Sequence, residues 1–206
     1  MDIDLKIIGI TDRRYCGDSI IEAVKEAAKA GIKTVQFREK KLSDRDFYNE
    51  ALALTVLGRK MGIKIIINDR YDIALATDAD GVHLGALDLP LAAVRKSFIG
   101  CIGKTVKSIE EAVKAEKEGA SYVAIGPFYE SNTKPQTELL QKNILPKMKR
   151  AISIPIIVIG GITSRNAQDL LKLGAYGIAV SESLFKGDVV ENAKRLIAVM
   201  GRYGSY

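Results

Sequence analysis

The hydrophobic residues of this chain recur in short runs that are rich in β-branched side chains and have the length of single strands. Several runs are apolar throughout, as in Ile156-Ile157-Val158-Ile159, which is typical of strands covered on both faces in a parallel sheet. The pattern predicts eight strands, over Leu5–Thr11, Thr34–Arg38, Lys64–Asp69, Val82–Gly85, Phe98–Thr105, Tyr122–Gly126, Pro155–Gly160 and Gly177–Ser181.

Segments with helical spacing separate these runs. Ser19–Ala30, for example, places Ile20, Ala23, Val24 and Ala27 on one stripe, as an amphipathic helix does. Similar spacing or a start signal predicts further helices over Phe47–Met61, Tyr71–Ala79, Ser108–Lys117, Ser164–Leu173, Val189–Met200 and from Pro90. Glycines that suit a left-handed helix end stand before the next strand at Gly31, Gly62, Gly119 and Gly174.

Eight strand–helix units in 206 residues predict an α/β fold, a (β/α)8 TIM barrel that covers residues 1–206 as one domain. No linker rich in Pro, Gly or Ser divides the chain. The alternative is an open, doubly wound sheet, but no G-x-G-x-x-G turn of its dinucleotide-binding form follows the first strand. Barrel chemistry takes place at the carboxyl ends of the strands, so the polar residues there are the candidates for function.

The composition excludes several classes of protein. Hydrophobic residues make up 47% and charged residues 27% of the chain, which excludes disorder and fibrous repeats. No apolar run approaches the ~20 residues of a membrane helix, and Met1–Asp4 does not resemble a secretory signal. Two cysteines, Cys16 and Cys101, are too few for a disulfide framework, so we expect a reducing, cytoplasmic setting.

The net charge of +6 is compatible with nucleic acid, an acidic membrane surface or small anionic substrates. The chain has no nucleic-acid-binding motif, no block of Lys and Arg and no interleaved aromatic pattern. Many basic residues, such as Lys25 and Lys114, fall on predicted helices beside acidic neighbours and indicate a solvated exterior. We therefore expect small anionic substrates, with no nucleic acid and no membrane as partner.

Cations follow the second predicted strand. Because strand side chains alternate, Gln36, Arg38 and Lys40 share one face. An amide and two cations at a barrel mouth suit an anionic ligand. The alternative is a strand end that continues into a solvated loop.

Carboxylates follow the next two strands. Asn68 and Asp69 end the third strand, and Asp88 lies after the fourth, close to Pro90. Each aspartate could cap the following helix. Together they could instead hold one hard cation such as Mg²⁺, which binds phosphate oxygens as well as carboxylates. The one histidine, His83, is expected to pack or hydrogen-bond on its strand rather than to bind a metal.

Small polar residues follow the remaining strands. Thr105 ends the fifth strand, and the polar stretch Glu130–Thr137 after the sixth is long enough for a mobile lid, or for a plain exposed connector. Gly160-Gly161 ends the seventh strand and Ser181-Glu182 the eighth. Backbone N–H groups after these two strands of a barrel often bind phosphate.

The motifs stand in a known order: Ile10-Thr11-Asp12, Val35-Gln36-Phe37-Arg38-Glu39-Lys40, Ile67-Asn68-Asp69-Arg70, Asp80-Gly81-Val82-His83-Leu84-Gly85, Asp88-Leu89-Pro90, Gly126-Pro127, Thr133-Lys134 and Ile159-Gly160-Gly161-Ile162. From Ile10 to Phe185 the chain resembles the thiamine-phosphate synthase family and its close relative, the thiazole tautomerase.

The resemblance implies a Mg²⁺-dependent transferase of thiamine biosynthesis. A hydroxymethylpyrimidine diphosphate loses pyrophosphate, and the ring nitrogen of a thiazole phosphate captures the resulting carbocation to give thiamine phosphate. No side-chain nucleophile is required, which agrees with the lack of a Ser/His or Cys/His constellation in the sequence. A homodimer is a family-level expectation.

The resemblance also implies roles for individual residues. Asp69 and Asp88 would bind Mg²⁺. The residues implied to contact the pyrimidine diphosphate are Gln36, Arg38, Lys40, Asn68, Thr105 and Lys134. Those implied to contact the thiazole phosphate are Ser131, Thr133, Gly161, Ser181 and Glu182. The expected catalytic residues, around the leaving diphosphate, are Arg38, Lys40, Thr105 and Lys134.

The chain departs from the family pattern at a few positions. Val106-Lys107 stands where the family has a small residue and then His, Ser131 replaces a threonine, and Glu182 stands where a small or hydroxyl residue is usual. Pro127 occupies the place of a tautomerase histidine, which argues against that activity. Three hypotheses follow: the transferase, a tautomerase-like isomerase, and a diverged regulatory paralogue that binds phosphate without turnover.

Overall fold

The computed structural model describes residues 3–17, 19–130 and 138–203. Its strands close into a barrel in which each pairs with its neighbours in chain order and the last returns to the first. All eight pairings are parallel. The strands are β1 (Ile7–Ile10), β2 (Thr34–Phe37), β3 (Lys64–Asn68), β4 (Gly81–Leu84), β5 (Cys101–Val106), β6 (Tyr122–Ile125), β7 (Ile156–Ile159) and β8 (Gly177–Val180).

Helices surround the barrel. Within the described residues they are α1 (Arg13–Cys16), α2 (Ile20–Lys29), α3 (Asp44–Met61), α4 (Tyr71–Ala76), α5 (Leu91–Arg95), α6 (Ile109–Lys117), α7 (Ile144–Ala151), α8 (Ala167–Lys172), α9 (Glu182–Phe185) and α10 (Val189–Tyr203). Among the described residues, none of these helices has the length and apolar character needed to cross a bilayer.

Local sequence signals fix the helix ends. The side chains of Ser19, Ser43 and Ser108 accept backbone N–H groups at the starts of α2, α3 and α6, and losing such a cap costs about 1 kcal/mol. The four glycines predicted at helix ends all have positive φ, the left-handed conformation that glycine adopts without a Cβ clash. These caps set where each helix stops and where the next strand starts.

Two apolar cores hold the barrel and the helices together. The larger core packs outward-facing strand residues such as Val35 and Ile67 with helix residues such as Leu54 and Leu196. The smaller one, which we call the inner cluster, fills the barrel; its buried members are Leu5, Ile8, Ile10, Ile66, Tyr122, Ala124, Ile157 and Ala179. Each fully buried Ile or Leu contributes about 1.5–3 kcal/mol, so continuous apolar strands stabilise both faces.

The predicted (β/α)8 barrel is confirmed, and the open-sheet alternative is wrong. The helices α1, α7 and α9 were not predicted; two of them have only four residues, too few to reveal a helical period. The fifth strand begins at Cys101 rather than at Phe98. The Arg95 guanidinium donates to the carbonyl oxygens of Phe98 and Gly100, at 3.0 and 3.1 Å. These carbonyl groups are therefore hydrogen-bonded to a side chain and, among the described residues, do not pair with a neighbouring strand.

Candidate active site

A pair of buried amides lies inside the barrel near its carboxyl end. Gln36 of β2 and Asn68 of β3 are both less than a tenth exposed, and Gln36 Nε2 donates to Asn68 Oδ1 at 2.6 Å. This bond does not use the side-chain oxygen of Gln36 or the side-chain nitrogen of Asn68, and neither atom has a hydrogen-bond partner within the described part of the chain. One acceptor and one donor therefore remain for a ligand.

Arg38 follows β2 and is anchored through its backbone. Its N–H donates to Thr11 Oγ1 at 2.9 Å, which ties it to the end of β1. Its guanidinium lies 3.6 Å from Asp12 Oδ2, but Arg14 bonds both oxygens of that carboxylate. The Arg14 hydrogen bond, together with the charges of Arg14 and Arg38, holds the pKa of Asp12 below its usual value. In the described residues the Arg38 guanidinium makes no side-chain hydrogen bond, so it is available to an anion.

Lys40 extends the same face. Its Nζ lies 3.8 Å from Asp69 Oδ2, and the lysine is the more exposed partner of this pair. The intervening residue, Glu39, instead accepts from Arg13 Nε at 2.5 Å. Arg38 and Lys40 therefore lie at the mouth together, with Lys40 beside the first carboxylate.

Asp69 and Asp88 meet at the ends of β3 and β4. Both carboxylates approach Gly85: Asp88 Oδ2 accepts from the Gly85 N–H at 2.5 Å, and a Cβ built at this glycine would lie 3.9 Å from Asp69 Oδ1. Burial, followed by the neighbouring Asp88 carboxyl group, raises the pKa of Asp69 to about 6. Neither aspartate caps a helix, because the first residues of α4 and α5 have no side-chain cap. The helix-cap alternative is therefore wrong for both.

This pair fits a hard divalent cation. Two carboxylates in a half-buried position bring together the oxygen ligands that Mg²⁺ takes from proteins, usually one or two carboxylates completed by water and phosphate. Within the described ranges, no cluster of three or more His, Cys, Asp or Glu side chains is arranged around a metal position. The donor set thus suits a metal that shares its coordination with a substrate.

Lys104 supports the Asp88 loop from below. Its Nζ donates to the Gly85 carbonyl oxygen at 2.6 Å, while the N–H of Gly85 is held by Asp88. Gly85 is therefore bound through both of its backbone groups. A Cβ at this glycine would lie only 3.1 Å from Asp88 Oδ2, so the absence of a side chain lets the carboxylate approach.

A buried hydrogen-bonded chain runs beside the amide pair. His83 of β4 is 2.9 Å from Thr105 Oγ1 through Nε2 and 2.9 Å from the Tyr122 hydroxyl through Nδ1. Thr105 lies near the carboxyl end of β5, on the side of the mouth, whereas Tyr122 is the first residue of β6 and belongs to the inner cluster. Both ring nitrogens of His83 have hydrogen-bond partners, which agrees with its expected packing role rather than metal binding.

Glycines shape the opposite side of the mouth. Gly160 and Gly161 both have left-handed backbone, with φ of 92° and 66°. A Cβ at Gly161 would lie 2.7 Å from the Tyr129 carbonyl oxygen, so only glycine fits this turn. The hydroxyl of Ser183 donates to the Ile162 carbonyl oxygen at 2.7 Å, which ties the turn after β7 to α9.

Ser181 and Glu182 complete this side. Ser181 Oγ is buried and has no hydrogen-bond partner among the described residues, which is unusual in a native interior and points to a ligand. The Glu182 carboxylate accepts from the Tyr15 hydroxyl at 3.2 Å and from Lys186 Nζ at 2.8 Å. The Glu182 carboxylate is therefore engaged by Tyr15 and Lys186.

The carboxyl ends of the strands carry ten of the predicted site residues: Gln36, Arg38, Lys40, Asn68, Asp69, Asp88, Thr105, Gly161, Ser181 and Glu182. Ser131, Thr133 and Lys134 lie outside the described residues. Sequence reasoning did not single out Asp12, Lys104 or Tyr122. The contact of Lys104 with Gly85 and that of Tyr122 with His83 depend on the register of the closed barrel, so the sequence held no local signal for either.

This arrangement defines the class of the protein as a (β/α)8-barrel enzyme that acts on small phosphorylated substrates. The family model described as thiamine monophosphate synthase matches residues 7–184. The chain belongs to the thiamine-phosphate synthase family.

Individual relatives agree with this family. A thiamine-phosphate synthase of Caldanaerobacter subterraneus subsp. tengcongensis is 42% identical over 205 residues, which cover 97% of this chain and 95% of the relative. One from Clostridium novyi is 41% identical and covers 96% and 99%. The solved thiamine phosphate pyrophosphorylase of Pyrococcus furiosus superposes with a TM-score of 0.89 at 34% identity, over 98% of each chain.

Proposed function

We propose that this chain transfers a hydroxymethylpyrimidine group from its diphosphate to a thiazole phosphate, giving thiamine phosphate and pyrophosphate. The observation that carries the proposal is the mouth itself, where Arg38 and Lys40 lie beside the Asp69 and Asp88 pair. Cations and a divalent-metal site together suit a diphosphate better than a monoester or a neutral ligand. The synthases among its relatives favour this transfer over the tautomerase reaction.

The amide pair is suited to the heterocycle. The unpartnered Gln36 oxygen accepts and the unpartnered Asn68 nitrogen donates, which matches the alternating acceptors and donors on the edge of an aminopyrimidine. Their mutual bond at 2.6 Å holds both groups in one orientation. We therefore place the pyrimidine against this pair, with its diphosphate directed toward Arg38 and Lys40.

The reaction is a dissociative substitution. The C–O bond to the diphosphate breaks, both electrons leave with the oxygen, and the thiazole nitrogen then donates its lone pair to the carbocation. Arg38, Lys40 and the hydroxyl of Thr105 bind the oxygens on which negative charge accumulates, so they act most strongly in the transition state. Lys134 is proposed for the same role.

Asp69 and Asp88 would hold Mg²⁺. When bound, this ion supplies Lewis-acid neutralisation of the diphosphate charge. The Asp69 carboxyl, whose pKa is raised to about 6, must be ionised to bind it, and the ammonium of Lys40, 3.8 Å away, favours the ionised form. Lys104 keeps Asp88 in place through Gly85.

We assign the thiazole phosphate to the opposite side of the mouth. Gly161 offers an open turn, and the buried Ser181 hydroxyl offers an uncommitted donor. Because the Glu182 carboxylate is bonded to Tyr15 and Lys186, we assign its backbone N–H, and not its charge, to this phosphate. Ser131 and Thr133 join this group as proposals from the family pattern. We also retain a cytoplasmic location and a homodimer as proposals.

The test is pyrophosphate release from both substrates with Mg²⁺. Arg38→Ala removes a cation that binds the leaving group, and we expect kcat/KM to fall by about 10²–10³. Arg59→Ala is the matched control, because Arg59 makes an exposed ion pair with Asp78, and it should stay within twofold of the parent. Parent protein that is folded but releases no pyrophosphate would refute the transferase, and an Arg38→Ala variant as active as the control would refute the role of Arg38.

A further inference from the structure

Tyr122 is a buried polar residue to which the reaction assigns no role. It is the first residue of β6, is fully buried and belongs to the inner cluster of apolar side chains. Its ring is stacked on that of His83 with centroids 5.6 Å apart. The hydroxyl lies 2.9 Å from His83 Nδ1, and the tautomer of the ring decides which of these two atoms donates the hydrogen bond.

The surroundings of the hydroxyl decide the donor. Within the described residues, His83 Nδ1 is the only hydrogen-bond partner of the Tyr122 hydroxyl. Burial raises the pKa of Tyr122 well above its usual range, so the phenol keeps its proton. If Nδ1 donated, this proton would have no acceptor in an apolar interior, which is costly. The hydroxyl therefore donates, and Nδ1 accepts.

The direction of this bond sets the rest of the chain. A neutral imidazole carries one N–H, so when Nδ1 accepts, the proton is on Nε2. Nε2 then donates to Thr105 Oγ1 at 2.9 Å. Because this bond uses a lone pair of the threonine oxygen, the threonine's own O–H points elsewhere and can donate to an acceptor at the mouth.

We propose that Tyr122 is a positioning residue that fixes His83 in the Nε2–H tautomer, and that this makes the Thr105 hydroxyl a donor to the anionic substrate. With the opposite tautomer, the Thr105 hydroxyl would donate its hydrogen bond to His83 Nε2, and only its oxygen lone pairs would face the diphosphate. The catalytic part of the inference rests on the proposed function, since it assumes that the ligand at Thr105 is a diphosphate.

The single histidine of the chain makes the tautomer measurable. In protein without a histidine tag and labelled with ¹⁵N, two-bond ¹⁵N–¹H correlation spectra contain one imidazole. We expect an Nε2 signal of the protonated, pyrrole type and an Nδ1 signal of the unprotonated, pyridine type. Tyr122→Phe removes one oxygen and keeps the ring, and we expect it to shift Nδ1 toward the protonated type and to lower kcat about tenfold. Tyr203→Phe, which removes a hydroxyl bonded to Gln168, is the matched control and should change neither.

These measurements test the tautomer assignment independently of the transferase activity. A parent spectrum with Nδ1–H or with a doubly protonated ring would overturn the proposal, even if the variant fails to fold. So would a folded Tyr122→Phe variant with an unchanged tautomer or an unchanged kcat. An Nε2–H parent that releases no pyrophosphate would support the tautomer assignment and refute the transferase function instead.

Discussion

Replacing Asp69 by asparagine should stabilise the metal-free protein at neutral pH. Asp69 has a left-handed backbone with φ of 65°, which asparagine tolerates as well as aspartate does. The substitution keeps the size of the side chain and removes its charge, so it isolates the cost of holding two carboxylates together.

The magnitude follows from the pKa. Burial and Asp88 raise the pKa of Asp69 from 3.8 to about 6, and a rise of about two pH units corresponds to about 3 kcal/mol against the charged form. Because 34% of the side chain is exposed, we reduce this for solvent screening to about 1–1.5 kcal/mol. In a chain of this size that is a gain of ~3–5 °C in Tm.

The pH dependence has a definite sign. Since the pKa in the folded state is raised, the parent bears the full cost above pH 6 and loses it progressively as the pH falls through 6 toward 3.8. The gain from Asp69→Asn should therefore be largest near pH 7.5 and much smaller near pH 4.5. Guanidinium unfolding in EDTA at both pH values measures it.

Asp78→Asn is the matched control, because Asp78 also has a positive φ, of 53°, but is exposed and paired with Arg59. It should not gain stability at either pH. In a second arm, Mg²⁺ should raise the Tm of the parent and not that of Asp69→Asn. An Asp69→Asn variant that is less stable than the parent in EDTA at pH 7.5 would refute the reasoning about charge, and an equal Mg²⁺ response would remove Asp69 from the metal site.

Two further substitutions test the two sides of the mouth. Lys104→Met keeps the aliphatic stem but removes the donor to Gly85, so the Mg²⁺ concentration for half-maximal activity should rise about threefold. The control, Lys114→Met on the exposed face of α6, should leave this concentration unchanged. A Lys104→Met variant with the same Mg²⁺ titration as the parent would contradict the role of Lys104 in supporting Asp88. Ser181→Ala removes a buried hydroxyl without a partner in the described residues, so stability in guanidinium should be unchanged or higher. Its KM for the thiazole phosphate should rise about fivefold, with that for the pyrimidine diphosphate unchanged; equal rises in both would contradict the assignment.

The strands could be predicted because their apolar runs are buried on two sides. A run such as Ile65–Ile67 is covered by the inner cluster on one face and by helices on the other, so composition alone marks it. Short helices could not be found in this way. At the start of α1 the Arg14 N–H donates to Asp12 Oδ1, and the N–H groups of Tyr15 and Cys16 donate to the Asp12 carbonyl oxygen. A helix of four residues is too short to show a helical period in the sequence.

The site could be predicted only as far as strand order places it. Alternation applies to Gln36, which lies in β2, but the strand ends at Phe37, so Arg38 and Lys40 lie beyond the part of the chain for which backbone geometry sets the face. The links between side chains on neighbouring strands depend on the stagger of the closed barrel, which no local pattern contains. The contact of His83 with Tyr122, 39 residues apart, is of this kind, and so is the bond from Lys104 to Gly85.

The inner cluster has a consequence for the order of events during turnover. Within the described residues, Ile8, Ile66, Tyr122 and their neighbours fill the barrel below the amide pair, so ligands in this part of the molecule must come and go through the mouth. With the pyrimidine placed against Gln36 and Asn68, it lies deepest. On this proposed placement the thiazole phosphate would bind nearer the mouth, so we expect an ordered mechanism in which the pyrimidine diphosphate binds first.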